Sequence, residues 1–322
     1  MSRASGPDAS KLYLGLIAIA VAIATFFVEP GAAVQSDGRQ WLVEIRPNGR
    51  ANLTLTYEHG SSRGSYSDTM PIDRLEGLAG APDAGGTVHF ELRRDAGTFS
   101  CEGWLKDGKG SGHYAFRPNA DYVSRLRSYG YDAPTERQQF RLAIADVSYE
   151  MLDELKNGGY DRPTTEGLVR MADHGVDVEF MRGIRALWPE VKSTEILVQM
   201  VDHGATPDFV AAMAEVGYRD LTPESAVRFV DHGVNPELVH DLAALGFERL
   251  PAETLVRVVD HGATAEYVSE MRRAGVTSAS IEDYVRMVDH GVTAEFARAA
   301  KAKAGRDLSP EELVHARDHD DE

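Results

Sequence analysis

Cysteine is nearly absent. Cys101 stands alone in 322 residues, so no disulfide forms within the chain and no cysteine cluster offers zinc a site. It lies in an alternating, strand-like stretch, where a small buried side chain is its simplest role. It does not follow the apolar N-terminal segment, so it is not a lipid-attachment cysteine. Positive charge is scarce too. Lys and Arg number 34 against 51 Asp and Glu, a formal net charge of -17. The imbalance is local. Residues 37–146 hold 15 acidic and 14 basic residues, whereas residues 147–322 hold 34 and 18, which is 16 of the 17 net charges. Such a surface repels nucleic acid phosphates and anionic lipid heads, so no nucleic acid partner is expected. It favours cations or basic proteins, and its plainest use is to keep a long array soluble.

Long apolar runs are missing, with one exception. Leu12 to Val28 carries no charge; Arg3 and Lys11 precede it, and Glu29 and Pro30 follow. The positive flank should stay in the cytoplasm, so the rest of the chain is expected to be exported. The run is long for a signal-peptide core and near the lower limit for a membrane span. Gly31-Ala32-Ala33 offers a small-residue cleavage site. Residues 1–35 are therefore read as a signal anchor or a signal peptide, the uncleaved anchor being preferred. Membrane contact is expected through this segment only.

Residues 36–118 read as a small β-rich module. Trp41-Leu42-Val43-Glu44-Ile45 and Leu53-Thr54-Leu55-Thr56-Tyr57 are strand-like, with Pro47-Asn48-Gly49 between them. Alternation continues in Thr87–Leu92 and Thr98–Glu102, and Asp107-Gly108 is a strong hairpin signal. Five or six antiparallel strands are expected. Two catalytic look-alikes fall here. Gly103 to Lys109 has phosphate-loop spacing, but Gly110 stands where Ser or Thr should bind magnesium, and no helix follows. Gly60-Ser61-Ser62-Arg63-Gly64 matches a nucleophile elbow, yet Ser65-Tyr66-Ser67-Asp68 after it reads as a polar loop rather than a helix.

Residues 119–322 repeat. Asp-His-Gly recurs with histidines at 174, 203, 232, 261 and 290, a step of 29, and His319 continues the series without its glycine. Glu166, Glu195, Glu224, Glu253, Glu282 and Glu311 share the phase. So do Tyr122, Met151, Phe180, Phe209, Leu238, Tyr267 and Phe296, which starts the array directly after the last strand. One unit shows why each repeat should be two short helices. Thr222 is an N-cap, Pro223 suits the first helical position, and Glu224 favours the positive end of the dipole. Ala226, Val227, Phe229 and Val230 form one apolar face, and Gly233 stops the helix. Asn235-Pro236-Glu237 then starts a second helix, with Leu238, Val239, Leu242 and Leu245 on its apolar face. Stacking such pairs predicts an α-solenoid, and the fold class is α+β. In the last unit the column Val201, Val230, Val259, Val288 becomes Arg317, and Leu245 becomes Lys303 two units later, as a polar end cap requires. The β module is expected to cap the other end.

Two columns are candidate functional rows. Asp173-His174, Asp202-His203, Asp231-His232, Asp260-His261 and Asp289-His290 sit at the end of each first helix, where a carboxylate opposes the dipole. Adjacent residues on a helix do not face each other, so one unit cannot chelate an ion with its own pair. A structural role is preferred: the histidine bonding helix-end carbonyls, the aspartate pairing with an arginine such as Arg170, Arg228, Arg257 or Arg286. No metal or cofactor is expected. Glu179, Asp208, Glu237, Glu266 and Glu295 open every second helix, either as capping charges or as an acidic ridge for a partner.

The string Asp289-His290-Gly291-Val292-Thr293-Ala294-Glu295-Phe296, a following Gly-Tyr or Gly-Phe, and Leu221-Thr222-Pro223-Glu224 resemble the His-Gly-Val-Thr-Pro-Glu-Phe repeats appended to bacterial membrane antirepressors of the BlaR/MecR type and related exported proteins. The resemblance spans Tyr122 to His319. It implies a bacterial cell-envelope location, inner-membrane anchored facing the periplasm or secreted if the leader is cleaved, and a role as envelope-stress sensor or regulator. Those antirepressors carry a His-Glu-x-x-His zinc motif that this sequence lacks, so their peptidase chemistry does not carry over. The leading expectation is a non-catalytic, exported, membrane-anchored scaffold binding a protein or peptide of basic character. A hydrolase using Ser62 or His113 is the enzymatic alternative.

Overall fold

The computed structural model describes residues 38–59, 62–80 and 85–319. The apolar run Leu12 to Val28, the Gly31-Ala32-Ala33 site, and Gly60 and Ser61 of the serine motif lie outside these residues. No described helix is long and apolar enough to cross a membrane.

Seven strands form one antiparallel sheet: β1 (Gln40–Ile45), β2 (Arg50–His59), β3 (Ser62–Pro71), β4 (Leu75–Glu76), β5 (Gly86–Arg94), β6 (Gly97–Lys106) and β7 (Lys109–Pro118). Their order is β3-β2-β1-β7-β6-β5-β4. The expected five or six strands fall short because Ser65 to Asp68, read as a loop, belongs to β3. That strand pairs with β2 from Arg50↔Pro71 to His59↔Ser62. Its serines and glycine have little strand preference, so pairing with a partner, not composition, makes it a strand. The β6–β7 turn is Asp107-Gly108, both left-handed at φ 51° and 73°, as a two-residue turn matched to strand twist requires. The phosphate-loop look-alike is therefore this hairpin.

One face of the sheet is apolar in strict alternation. Trp41 and Val43, Leu53 and Leu55, Phe90 and Leu92, Phe99 and Cys101 all point into the core. Burial pushes the Cys101 thiol up to about 12. Trp41 is fully buried and donates its indole N–H to the Glu102 carbonyl at 3.1 Å. Glycine at 103 makes room for it: a Cβ there would lie 2.6 Å from the indole.

Fourteen helices follow among the described residues: α1 (Ala120–Ser128), α2 (Glu136–Ile144), α3 (Tyr149–Asn157), α4 (Thr165–Asp173), α5 (Val178–Leu187), α6 (Thr194–Asp202), α7 (Pro207–Glu215), α8 (Pro223–Asp231), α9 (Pro236–Ala244), α10 (Ala252–His261), α11 (Ala265–Arg273), α12 (Ile281–Asp289), α13 (Ala294–Ala304) and α14 (Pro310–Asp318). Even-numbered helices are the first of each pair, and each packs on the next even one; odd-numbered helices do the same from α1 to α7 and from α9 to α13. Thr222 caps α8 by accepting the Ser225 N–H, with Pro223 at the first helical position. Every helix has such a side-chain cap except α10, whose cap residue is Pro251. Gly233 ends its unit's first helix at φ 76°.

Stacking turns sequence columns into core. Leu168, Leu197, Ala226, Leu255, Tyr284 and Leu313 occupy one phase and are all fully buried. The same phase in α2 is Gln139, which is also buried but polar, and it marks the junction with the sheet. Its Nε2 donates to the carbonyls of Ala96 at 2.9 Å and Asn119 at 2.7 Å. Asp95, in the turn between β5 and β6, accepts the Tyr149 N–H at 2.6 Å. Arg94, 5% exposed, pairs with Asp146 between α2 and α3 and with Asp68 of β3. The next column is valine in every later first helix (Val169, Val198, Val227, Val256, Val285, Val314); in α2 it is Phe140, packed edge-on to Tyr57, Phe99 and Phe116. The sheet thus occupies the place of a first helix before α1. At the other end Arg317 lies over Phe296, 5.4 Å from the ring centroid.

Phe229 is 1% exposed and edge-on to Tyr218. Phe229→Ala is expected to cost about 3–5 kcal/mol. Denaturant melts measure this, and a change within error would contradict close packing between units.

Candidate interaction surface

Each first helix ends in a rung to the next. His174 Nδ1 meets Asp202 Oδ1 at 2.5 Å, and the same contact recurs for His203–Asp231 at 2.6 Å, His232–Asp260 at 2.6 Å, His261–Asp289 at 2.5 Å and His290–Asp318 at 2.7 Å. A carboxylate accepts only, so the Nδ1–H donates. The expected partners were different. The histidines do not bond helix-end carbonyls, and the aspartates do not take arginines, because the neighbouring helix brings the imidazole closer than either. Asp173 is the exception: the histidine position before it is Ala145, and Arg141 pairs with it at 3.7 Å. The rungs explain why an aspartate that opposes its own dipole recurs. A rung joins one histidine to one aspartate. Among the described residues no three His, Cys, Asp or Glu side chains are grouped to hold a metal ion.

A second rail crosses the same helices nearer their start. Arg170 donates twice to Glu195, at 2.8 and 2.7 Å; Arg228 reaches Glu253 at 2.6 Å and Arg257 reaches Glu282 at 2.7 Å. The arginines hold Glu195 and Glu253 below the usual carboxylate range. The rail breaks at Gln199 and at Arg286, which turns back to Asp283 at 2.7 Å.

The second helices differ. Glu179, Asp208, Glu237, Glu266 and Glu295 all sit at the second helical position, exposed, without an ion pair or side-chain hydrogen bond among the described residues. Asp121 of α1 and Glu150 of α3 extend this row to seven, and both were missed although the 29-residue step predicts them. Glu150 bonds Arg182 at 2.9 Å. Beside it, buried Glu154 is held by Arg182 and Arg185, at 3.3 and 2.7 Å. No column announced that cluster, since the equivalent positions are Gly183 and Ala212.

In the sheet, Ser62 belongs to β3 and His113 to β7. β3 and β7 are separated by β2 and β1, about 14 Å along the sheet at three strand spacings. No family model, curated protein or solved structure matches the chain, so the case for its function rests on its own residues and their geometry.

Two outcomes test the rails. His203→Ala with His232→Ala removes two half-exposed rungs and is expected to cost about 1–2 kcal/mol in total by denaturant melts, with no stoichiometric zinc binding lost. Glu195 and Glu253 are stabilising above their ordinary pKa, and that contribution disappears as pH falls through their lowered values. Changing both to Gln should therefore lower Tm at pH 7 and leave it unchanged near pH 2. Equal losses at both would place the effect elsewhere.

Proposed function

We propose that this chain is a non-catalytic scaffold of the bacterial cell envelope, anchored or exported by residues 1–35, whose array holds a basic protein or peptide. The observation that carries the proposal is the contrast between the two helix sets. Three of the first-helix carboxylates at the second position are neutralised by an arginine of the preceding unit, whereas five in the second helices face solvent unpaired. Capping alone needs no such difference, because each carboxylate favours its own helix dipole whether paired or not.

The spacing defines the partner. Packed helices stand about 8–10 Å apart. A polyproline II chain turns once in three residues and advances about 9 Å, so every third side chain lies on one face. A segment with Lys or Arg at every third position therefore matches the row step for step, and long-range attraction speeds its docking. The resemblance to repeats of envelope regulators favours such a place in signalling, and the apolar run Leu12 to Val28 supports export.

Changing Asp208 to Asn together with Glu237 and Glu266 to Gln should weaken capture of a (Lys-Ala-Ala)n peptide at low salt, with little loss of stability. Added salt should weaken the unaltered chain in the same way, as the Debye length falls from about 10 Å at 0.1 M to 3 Å at 1 M. Capture that ignores both the substitutions and salt would reduce the row to helix capping.

A further inference from the structure

Few large apolar side chains are exposed among the described residues. They are Leu42, Trp104 and Leu187, at 49, 55 and 38% exposure. Two of the three share one cross-strand row of the sheet. Leu42 of β1 pairs with Ser111 of β7, and Ser111 pairs with Trp104 of β6. Thr87 of β5 continues the row beyond Trp104. Directly opposed residues lie on one face. This is the face away from the core, since Trp41, Val43 and Leu105, the neighbours along the strands, are buried. Trp104 and Leu42 stand two strand spacings apart, about 9.5 Å, with only a serine between them. The indole extends towards the start of β5, where a Cβ on Gly85 would lie 3.3 Å from its Cζ2.

The adjacent row is polar. His113 of β7 pairs with Gln40 of β1 and with Glu102 of β6, and Glu102 pairs with His89 of β5. All four are exposed, and no ion pair among the described residues engages Glu102 or either histidine. Across both rows Glu102 is the one formal charge, with the histidines neutral. Charges on either side are paired with each other, Lys109 with Glu44 at 3.2 Å and Arg63 with Glu58 at 4.0 Å. The face therefore offers an indole and several hydrogen-bonding groups, with little net charge.

That chemistry selects the occupant. A stable protein interface buries about 800 Å² on each side around an apolar core. One Trp supplies about 250 Å² at most, and a single leucine does not complete a core. A nucleic acid strand needs cations along its backbone, and the two rows hold no Lys or Arg. A pyranose with equatorial hydroxyls matches better. Its faces carry C–H groups that lie against an indole, and its edge carries donors and acceptors for a carboxylate, an amide and imidazoles.

We propose that the outer face of the sheet binds a neutral glycan of gluco-configured pyranoses. One ring stacks on Trp104, its hydroxyls are held by Glu102 and His113, and a further ring rests on Leu42 across Ser111. The site uses no residue of the acidic row, so it stands or falls apart from the basic-partner reading.

Tryptophan fluorescence of the full chain tests this, because Trp41 and Trp188 are buried and acrylamide quenching reports Trp104. Chitohexaose and cellohexaose are the probes. Saturable binding of at least one is expected, shielding Trp104 from acrylamide and shifting its emission to the blue. By calorimetry, Trp104→Ala should weaken that hexasaccharide about tenfold or more. Trp104→Tyr keeps a ring on the strand and should retain part of the affinity. Glu102→Ala leaves the indole in place and should weaken binding as well. The Tm of all three variants should stay close to that of the unaltered chain, since both side chains lie outside the core. The proposal is overturned if neither hexasaccharide binds saturably, or if neither Trp104→Ala nor Glu102→Ala alters the affinity. Shielding of Trp104 that grows with protein concentration in the absence of sugar would overturn it too, by making the face a contact between copies.

Discussion

A helix of nine residues is not stable alone in water, and almost every helix in this array is about that long. That constraint organises the molecule. Each pair buries its apolar stripes only by lying against the pair before and the pair after, so stability is a sum of neighbour contacts. The step of 29 residues reflects it, because a residue facing the preceding unit must have its counterpart at the same phase in every unit. The buried column from Leu168 to Leu313 is that requirement made visible. So is its exception: where the neighbour is a sheet and not a helix, Leu gives way to Gln139 and Val to Phe140, one supplying hydrogen bonds to the β5–β6 turn and the other an aromatic contact.

The same repetition disposes the charges. A side chain at one phase meets its neighbour's side chain at another, so a favourable pair arising once recurs along the array. The His–Asp rungs and Arg–Glu contacts are two such rails, both on the first helices. Exposed pairs of this kind contribute little individually. Their effect is to join successive first helices and to pair three of the first-helix glutamates with arginines. In the second helices Glu150 and Glu154 meet arginines of α5, whereas the row from Glu179 to Glu295 has no ion pair among the described residues. Five carboxylates in one row, from Glu179 to Glu295, are thus exposed to solvent without an ion pair among the described residues.

Much of this was legible in the sequence because it is local. Thr222-Pro223-Glu224 at a helix start, Gly233 at its end and Asp107-Gly108 in a hairpin each act within a few residues. The period made the rest of the array readable from one unit. What escaped depends on contacts between segments. Ser65 to Asp68 has no strand signature of its own and becomes β3 through β2. The partner of each Asp-His pair lies 28 residues away, and which neighbouring side chain arrives there is a matter of packing angle. Glu154 and its two arginines sit in columns that do not repeat.

If neighbour contacts at a fixed phase are what the array rests on, one whole unit can be removed without loss of the others. Deleting residues 206–234 joins Ala205 to Asn235 and takes out one 29-residue step. Circular dichroism and denaturant melts of this chain, beside one with a deletion four residues shorter, compare kept phase with broken phase. Cooperative unfolding and undiminished helicity per residue are predicted for the 29-residue deletion, and a marked loss of both for the shorter one. Equal disruption by the two deletions would contradict the account.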